Sequence, residues 1–150
     1  MRIAVGSDHR GVDLRANLIE FLQQLGQEVV DVGTHDRKEV DYPAIAALVA
    51  RKVASQEVDR GILVCGTGVG MCIVANKFPG VRAAPCHDDI TAEISRRHND
   101  LNVLCLSGDL IGEKLADRLV EIWLNTPFEG GRHARRNEKI KSLESLDGKA

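Results

Sequence analysis

Aromatic residues are scarce in this chain: Trp123, Tyr42, Phe21, Phe78 and Phe128 are the whole set. Surfaces that stack single-stranded bases need rings in series, so that class of partner is disfavoured. Neither sign of charge is in excess, because 20 Lys and Arg stand against 22 Asp and Glu for a net charge of −2. Nucleic acid as a main partner calls for a large basic excess and is not expected here. No long apolar run is present either. The longest uncharged stretch runs only from Gly61 to Asn76 and is broken by Gly66, Gly68 and Gly70. A membrane-spanning helix needs about 20 mostly apolar residues, so no membrane partner is expected. The opening residues MRIAVGSDH carry too short an apolar run for a secretory signal. Cys65, Cys72, Cys86 and Cys105 form no C-x-x-C pair and have no zinc-finger spacing to a histidine. Free thiols without an export signal point to a reducing, cytoplasmic location and to no metal centre. Cys72, Cys86 and Cys105 read as small buried hydrophobes.

What is present is a regular alternation. A length of 150 residues suits one domain over the whole chain, residues 1–150. Such a domain buries roughly 68–70% of its unfolded surface and needs no disulfide or metal staple. Short apolar runs at Ile3–Val5, Val29–Val32, Gly61–Cys65, Val81–Ala84 and Asn102–Leu106 suit strands covered on both faces. Helical spacing appears between them. Leu14, Leu18, Phe21, Leu22 and Leu25 form one stripe closed by Gly26, Ala44 to Val53 and Ala92 to His98 form others, and Leu115, Leu119, Ile122 and Trp123 a fourth. A last helix is predicted from about Ala134 to Leu146, after Gly130-Gly131, projecting from the main body. Strand–helix alternation implies right-handed βαβ units in an α/β, doubly wound sheet. Ligands of such folds bind at the carboxyl ends of the strands. The residues that follow the predicted strands are Ser7-Asp8-His9-Arg10, Gly33-Thr34-His35, Cys65 to Gly70, Cys86-His87-Asp88 and Ser107-Gly108-Asp109.

The segment Cys65-Gly66-Thr67-Gly68-Val69-Gly70-Met71 joins a strand to a helix. Its glycines let several backbone N–H groups point into one space, beside the positive end of the next helix. That is a cradle for a phosphate, a carboxylate or an oxyanion formed during reaction. It is not a dinucleotide fingerprint, since Met71 stands at the third glycine position, nor a P-loop, since no Lys follows. Met71 also stands where a thiol-dependent phosphatase would carry its Arg. Cys65 sits at the strand end, where an adjacent helix N-terminus favours a thiolate able to attack carbon or accept a proton. The competing reading of the loop is plain helix–strand packing.

These residues carry a resemblance. Asp8-His9, Asp41-Tyr42-Pro43, the loop from Cys65, Ala75-Asn76-Lys77, Ser95 to Asp100 and Gly130-Gly131-Arg132-His133 to Arg136 together resemble ribose-5-phosphate isomerase type B. The wider family includes galactose-6-phosphate and allose-6-phosphate isomerases, and the resemblance covers nearly the whole chain. It implies a Rossmann-like three-layer sandwich with a five-stranded parallel sheet. It also implies aldose–ketose isomerisation of a sugar phosphate with no metal or organic cofactor. Cys65 resembles the base that moves a proton between C1 and C2 through a cis-enediolate. Gly66, Gly68, Val69 and Gly70 resemble the backbone cradle of the enediolate oxygen, with Thr67 as a proton-shuttling aid. His98 and Asp8 resemble the ring-opening pair, Tyr42 and Asn99 the sugar contacts, and His9, Arg132 and Arg136 the phosphate ligands. A homodimer or tetramer with sites shared between subunits is implied as well. The chemistry fits on its own terms, since abstracting a proton beside a carbonyl needs a base and preorganised donors. Arg132 and Arg136 lie four apart and share one helix face. The plainer readings are a dipole cap for His98, loop packing for Tyr42 and a solvated face for the two arginines.

One position departs from the family. After the fifth strand many members read Gly-x-Arg, and that Arg helps to hold the phosphate, whereas Asp109 stands here. Arg10 is the candidate replacement cation, with Asp109 orienting an Arg. The departure keeps a six-carbon substrate of the allose 6-phosphate type open. A non-catalytic sugar-phosphate-binding module is the alternative of a different class.

Overall fold

Successive side chains along a strand point to opposite faces, and the three central apolar runs of this chain are buried on both. In the computed structural model, which describes residues 1–145, Ile3 and Val5 face one helical layer while Ala4 faces the other. The same split separates Ile62 and Val64 from Leu63 and Cys65, and Leu104 and Leu106 from Val103 and Cys105. The strands are β1 (Arg2–Ser7), β2 (Glu28–Gly33), β3 (Arg60–Cys65), β4 (Ala83–Pro85) and β5 (Val103–Ser107). All pair parallel, in the order β2-β1-β3-β5-β4. The α/β three-layer architecture expected from the alternation is therefore present.

One layer is formed by α1 (Val12–Gln24), α4 (Asp89–Asn99) and α5 (Glu113–Asn125). Its core includes Leu14, Leu18, Leu22, Ala92, Leu119 and Trp123, all buried. The opposite layer is formed by α2 (Tyr42–Ala54) and α3 (Val69–Ala75), which bury Ala46, Val49, Met71 and Ala75 against the sheet. Helix α2 starts two residues before the predicted stripe, with Pro43 in its first turn, where a missing N–H costs nothing. A 3-10 turn, His9–Gly11, links β1 to α1, and the Asp8 side chain caps it.

Two predicted elements shift. Strand β4 covers Ala83–Pro85 rather than Val81–Ala84, because Val81 closes a turn onto the Phe78 carbonyl and the Arg82 N–H donates to Asn102 Oδ1 at 2.7 Å. The last helix, α6, runs from Arg132 to Leu143 and starts directly after Gly131, whose φ is 54°. The predicted end at Leu146 lies outside the described residues. Helix α6 leaves the three layers and packs on α4, and the Glu144 carboxylate accepts the Gly80 N–H at 2.8 Å. Among the described residues, no helix is long and apolar enough to cross a membrane.

Connections from β1 lead outward to β2 on one side, while β3 lies on its other side. The strand order thus reverses between β1 and β3, and a crevice at their carboxyl ends is the natural ligand position of an open sheet. The loops that meet there are the one after β1, with Asp8 and His9, and the one after β3, with Cys65 to Gly70.

Candidate active site

Cys65 is the last residue of β3 and points into the α2/α3 layer, 5% exposed. The Gly68 N–H donates to its Sγ at 3.2 Å, so the sulfur lies inside the curl of its own loop. The curl needs glycine at 68. Its φ is +81°, and a Cβ there would stand 3.2 Å from the Leu106 carbonyl oxygen. The first-turn amides of α3, Gly70 and Met71, have no acceptor within the helix. Thr67 is exposed, and its Oγ1 accepts the Val69 N–H at 3.3 Å. The Tyr42 ring packs on the loop, since a Cβ on Gly70 would lie 2.7 Å from Cε2 and Cζ of that ring.

The wall contributed by β1 is fixed equally firmly. Asp8 is buried, and its Oδ1 accepts the N–H groups of Arg10 at 2.9 Å and Gly11 at 3.3 Å. Nδ1 of His9 accepts the Val40 N–H at 3.3 Å, which leaves Nε2 as the nitrogen free to donate. The loop after β5 braces the cradle from below. The Gly108 N–H donates to the Cys65 carbonyl at 2.8 Å, and Ser107 Oγ donates to the Gly66 carbonyl at 2.5 Å. Arg10 pairs with Asp109, whose hydrogen bond raises the arginine pKa further above its ordinary value. Asp8, His9, Arg10, Tyr42, Cys65, Gly66, Thr67, Gly68, Val69 and Gly70 are thus gathered at one edge of the sheet.

The remaining expected site residues are not gathered there. His98 and Asn99 end α4, and α4 runs back along the sheet to the amino end of β5. The Asn99 carbonyl accepts from Arg82 Nε at 2.9 Å, just before β4 begins. The five residues of β5 alone separate the two edges by roughly 16 Å. Arg132 and Arg136 lie on α6, exposed, on the same side as the end of α4.

Two residues at this second edge were not singled out from the sequence. His133 is buried and stacks on His98, with ring centroids 4.0 Å apart and planes 7° from parallel. Glu129 Oε2 lies 3.5 Å from His133 Nε2 and 3.9 Å from His98 Nε2, while Arg97 Nε donates to Glu129 Oε1 at 2.6 Å. Arg97 holds the Glu129 carboxyl below its usual range. Burial, then the neighbouring His98 and Arg132, push the His133 pKa down against the pull of Glu129. The four-residue spacing of Glu129 and His133 was the available signal, but only the stack on His98 gives it meaning. Donor atoms of His98, Glu129 and His133 lie within 4.8 Å of one another. Parallel stacked rings direct their nitrogen lone pairs side by side, however, rather than toward one tetrahedral centre. A groove of about 530 Å³ opens beneath α6, between Val81, Ala84, Asn99, Leu101, Ile140 and Leu143, and belongs to this second edge.

Hydrogen bonding to Cys72 and burial hold Cys105 well above the usual thiol range, and burial raises Cys86. Cys72 is only half-buried, and hydrogen bonds from Cys105 and Asn76 lower it.

Comparison with known proteins yields consistent matches. Residues 3–140 match the family described as Ribose/Galactose Isomerase. Ribose-5-phosphate isomerase B of Escherichia coli (strain K12) is 47% identical over 143 residues, 95% of this chain and 96% of that protein. The structure of Clostridium thermocellum ribose-5-phosphate isomerase B superposes with a TM-score of 0.96 at 48% identity, covering 97% of this chain and 99% of that one. A Mycoplasma genitalium ribose-5-phosphate isomerase B, solved with bound ribulose-5-phosphate, gives a TM-score of 0.93 at 42% identity over 96% of each chain.

Proposed function

This chain belongs to the ribose/galactose isomerase family and is an aldose–ketose isomerase, and we propose that it interconverts ribose 5-phosphate and ribulose 5-phosphate. The observation that carries the mechanism is the position of Cys65: a buried sulfur that accepts the Gly68 N–H of its own glycine loop, at the crevice where the strand order reverses. In this reading Cys65 removes the proton from C2 of the open-chain aldose and returns it to C1. The electron pair moves onto the carbonyl oxygen, forming a cis-enediolate whose negative charge the amides of Gly66 to Gly70 receive. Donors already aimed at that oxygen need no reorganisation as charge develops. Thr67 assists proton transfer between the two oxygens, and Tyr42 borders the sugar.

Ring opening needs an acid–base group at the anomeric oxygen, the role assigned to His98 with Asp8. Those two residues lie at opposite sheet edges of one chain, as do Cys65 and the phosphate ligands Arg132 and Arg136. The complete site therefore takes His98, Asn99, Arg132 and Arg136 from a second copy, in a homodimer or tetramer. His9 and the borrowed arginines then grip the phosphate, and the reaction uses no metal or organic cofactor.

The test is solvent-proton exchange. With ribose 5-phosphate, Cys65→Ala is expected to lose incorporation of solvent deuterium at C2 while still binding substrate. Retained exchange removes Cys65 as the base. A comparison of kcat/KM for ribose, allose and galactose phosphates fixes the substrate.

A further inference from the structure

Arg10 and Asp109 are 99 residues apart in sequence and meet at the carboxyl edge of the sheet. Arg10 Nε donates to Asp109 Oδ2 at 2.8 Å, and Nη2 approaches the same oxygen at 2.6 Å. Because one carboxylate oxygen takes both bonds, Nη1 and the outer hydrogen of Nη2 remain for another acceptor. Both residues are anchored from behind. The Asp8 carboxylate accepts the Arg10 N–H at 2.9 Å, and the Asp109 N–H donates to the Gly66 carbonyl at 3.2 Å. The pair lies directly over Gly66. A Cβ there would stand 3.0 Å from Asp109 Oδ2 and 3.2 Å from Arg10 Nε, so glycine gives this close approach its room. The guanidinium thus rests on the loop that begins at Cys65, and its side chain is 57% exposed.

Resting on the isomerase reading above, we propose that Arg10 binds the phosphate of the substrate and that Asp109 is the positioning residue that holds its guanidinium over the glycine loop. The pair carries no net charge. Its contribution comes from directed N–H donors, and a planar guanidinium matches phosphate oxygens better than a point charge does. Asp109 acts in two opposed ways. Paired, it removes the rotamer freedom that a long side chain would otherwise lose on binding. Unpaired, its carboxylate repels the incoming anion. The two residues are therefore non-additive.

That pattern is the test. KM and kcat for ribose 5-phosphate, and the binding of inorganic phosphate by calorimetry, are measured for wild type, Arg10→Ala, Asp109→Ala and the double variant. Arg10→Ala is expected to raise KM and weaken phosphate binding by about 10-fold or more, with kcat within about twofold, as for loss of hydrogen bonds to a charged group. Asp109→Ala has a smaller effect, about threefold, and Asp109→Asn, which keeps an acceptor, recovers part of it. The double variant binds better than Arg10→Ala because the uncompensated carboxylate is gone. Arg10→Lys supplies a conservative variant with partial recovery of KM. Unchanged KM and phosphate binding in Arg10→Ala overturn the proposal. So does a fall in kcat at constant KM, which marks the pair as a brace for the loop only. A wild-type protein that binds phosphate but does not turn over ribose 5-phosphate overturns the substrate reading alone, and the phosphate series still decides the role of Arg10.

Discussion

The two edges of the sheet are built differently. At the carboxyl edge, Cys65, Asp8 and Gly68 are buried, and the loops after β1, β3 and β5 are tied together by backbone hydrogen bonds. At the amino edge, Arg132 and Arg136 are exposed, and His133 is buried where α6 packs on α4. The first is a rigid set of strand-end loops. The second is a charged helix that leaves the three layers. Under the proposed function, the chemistry that must not reorganise falls to the strand ends and phosphate binding falls to the helix.

Substitutions that separate these two roles are ordered here by expected effect. Cys65→Ala is expected to lower kcat about 10³-fold or more with little change in KM, consistent with loss of a general base. A parallel rise in KM would move Cys65 out of the chemical step. Gly68→Ala forces a side chain into left-handed backbone against the Leu106 carbonyl and withdraws the curl from the oxyanion, so kcat falls about 10²-fold. Arg132→Ala on the appendage is expected to raise KM roughly 10- to 50-fold and leave the deuterium exchange of bound substrate intact. The sharpest form of the contrast mixes inactive Cys65→Ala chains with Arg132→Ala chains, assayed at substrate well below the raised KM of the latter. If the edges of two copies form one site, heterodimers regain one intact site, and activity returns to roughly a quarter of wild type. No recovery places both edges in one chain's own site.

The smallest effect is a pH dependence of stability at the amino edge. Burial and His98 hold the His133 pKa below its ordinary value. The unfolded chain therefore binds this proton at higher pH than the folded chain. The native state loses stability as pH falls through the ordinary histidine range toward the lowered folded value. His133→Gln is expected to flatten that part of the Tm-against-pH curve. An unchanged slope would show that the stack does not carry the dependence.

Much of the carboxyl edge was legible in the sequence, because its geometry is local. Cys65 to Gly70 is one strand end, one turn and one helix start, and Asp8 caps a turn that begins at its neighbour. The continuous apolar run Gly61–Cys65 also read as a strand covered on both faces, and Ile62 and Val64 do face one layer while Leu63 and Cys65 face the other. The amino edge was only half legible. His98, Arg132 and Arg136 stood out by motif, but nothing local said that α4 returns His98 to the far side of the sheet. His133 drew no notice because a buried histidine beside two arginines has no meaning until its ring lies on His98.

The chain by itself therefore determined the alternation of elements, the glycine curl, the cysteine at its base and the spacing of the two arginines, since each depends on residues a few positions apart. Tertiary structure alone decided that β5 lies between β3 and β4, that the strand order reverses over Cys65, and that Arg10 meets Asp109 on Gly66. It also decided that Arg132 and Arg136 stand a sheet's width from Cys65. The physical reason is that strand order and helix direction follow from the global burial of both sheet faces, which no short stretch of sequence encodes.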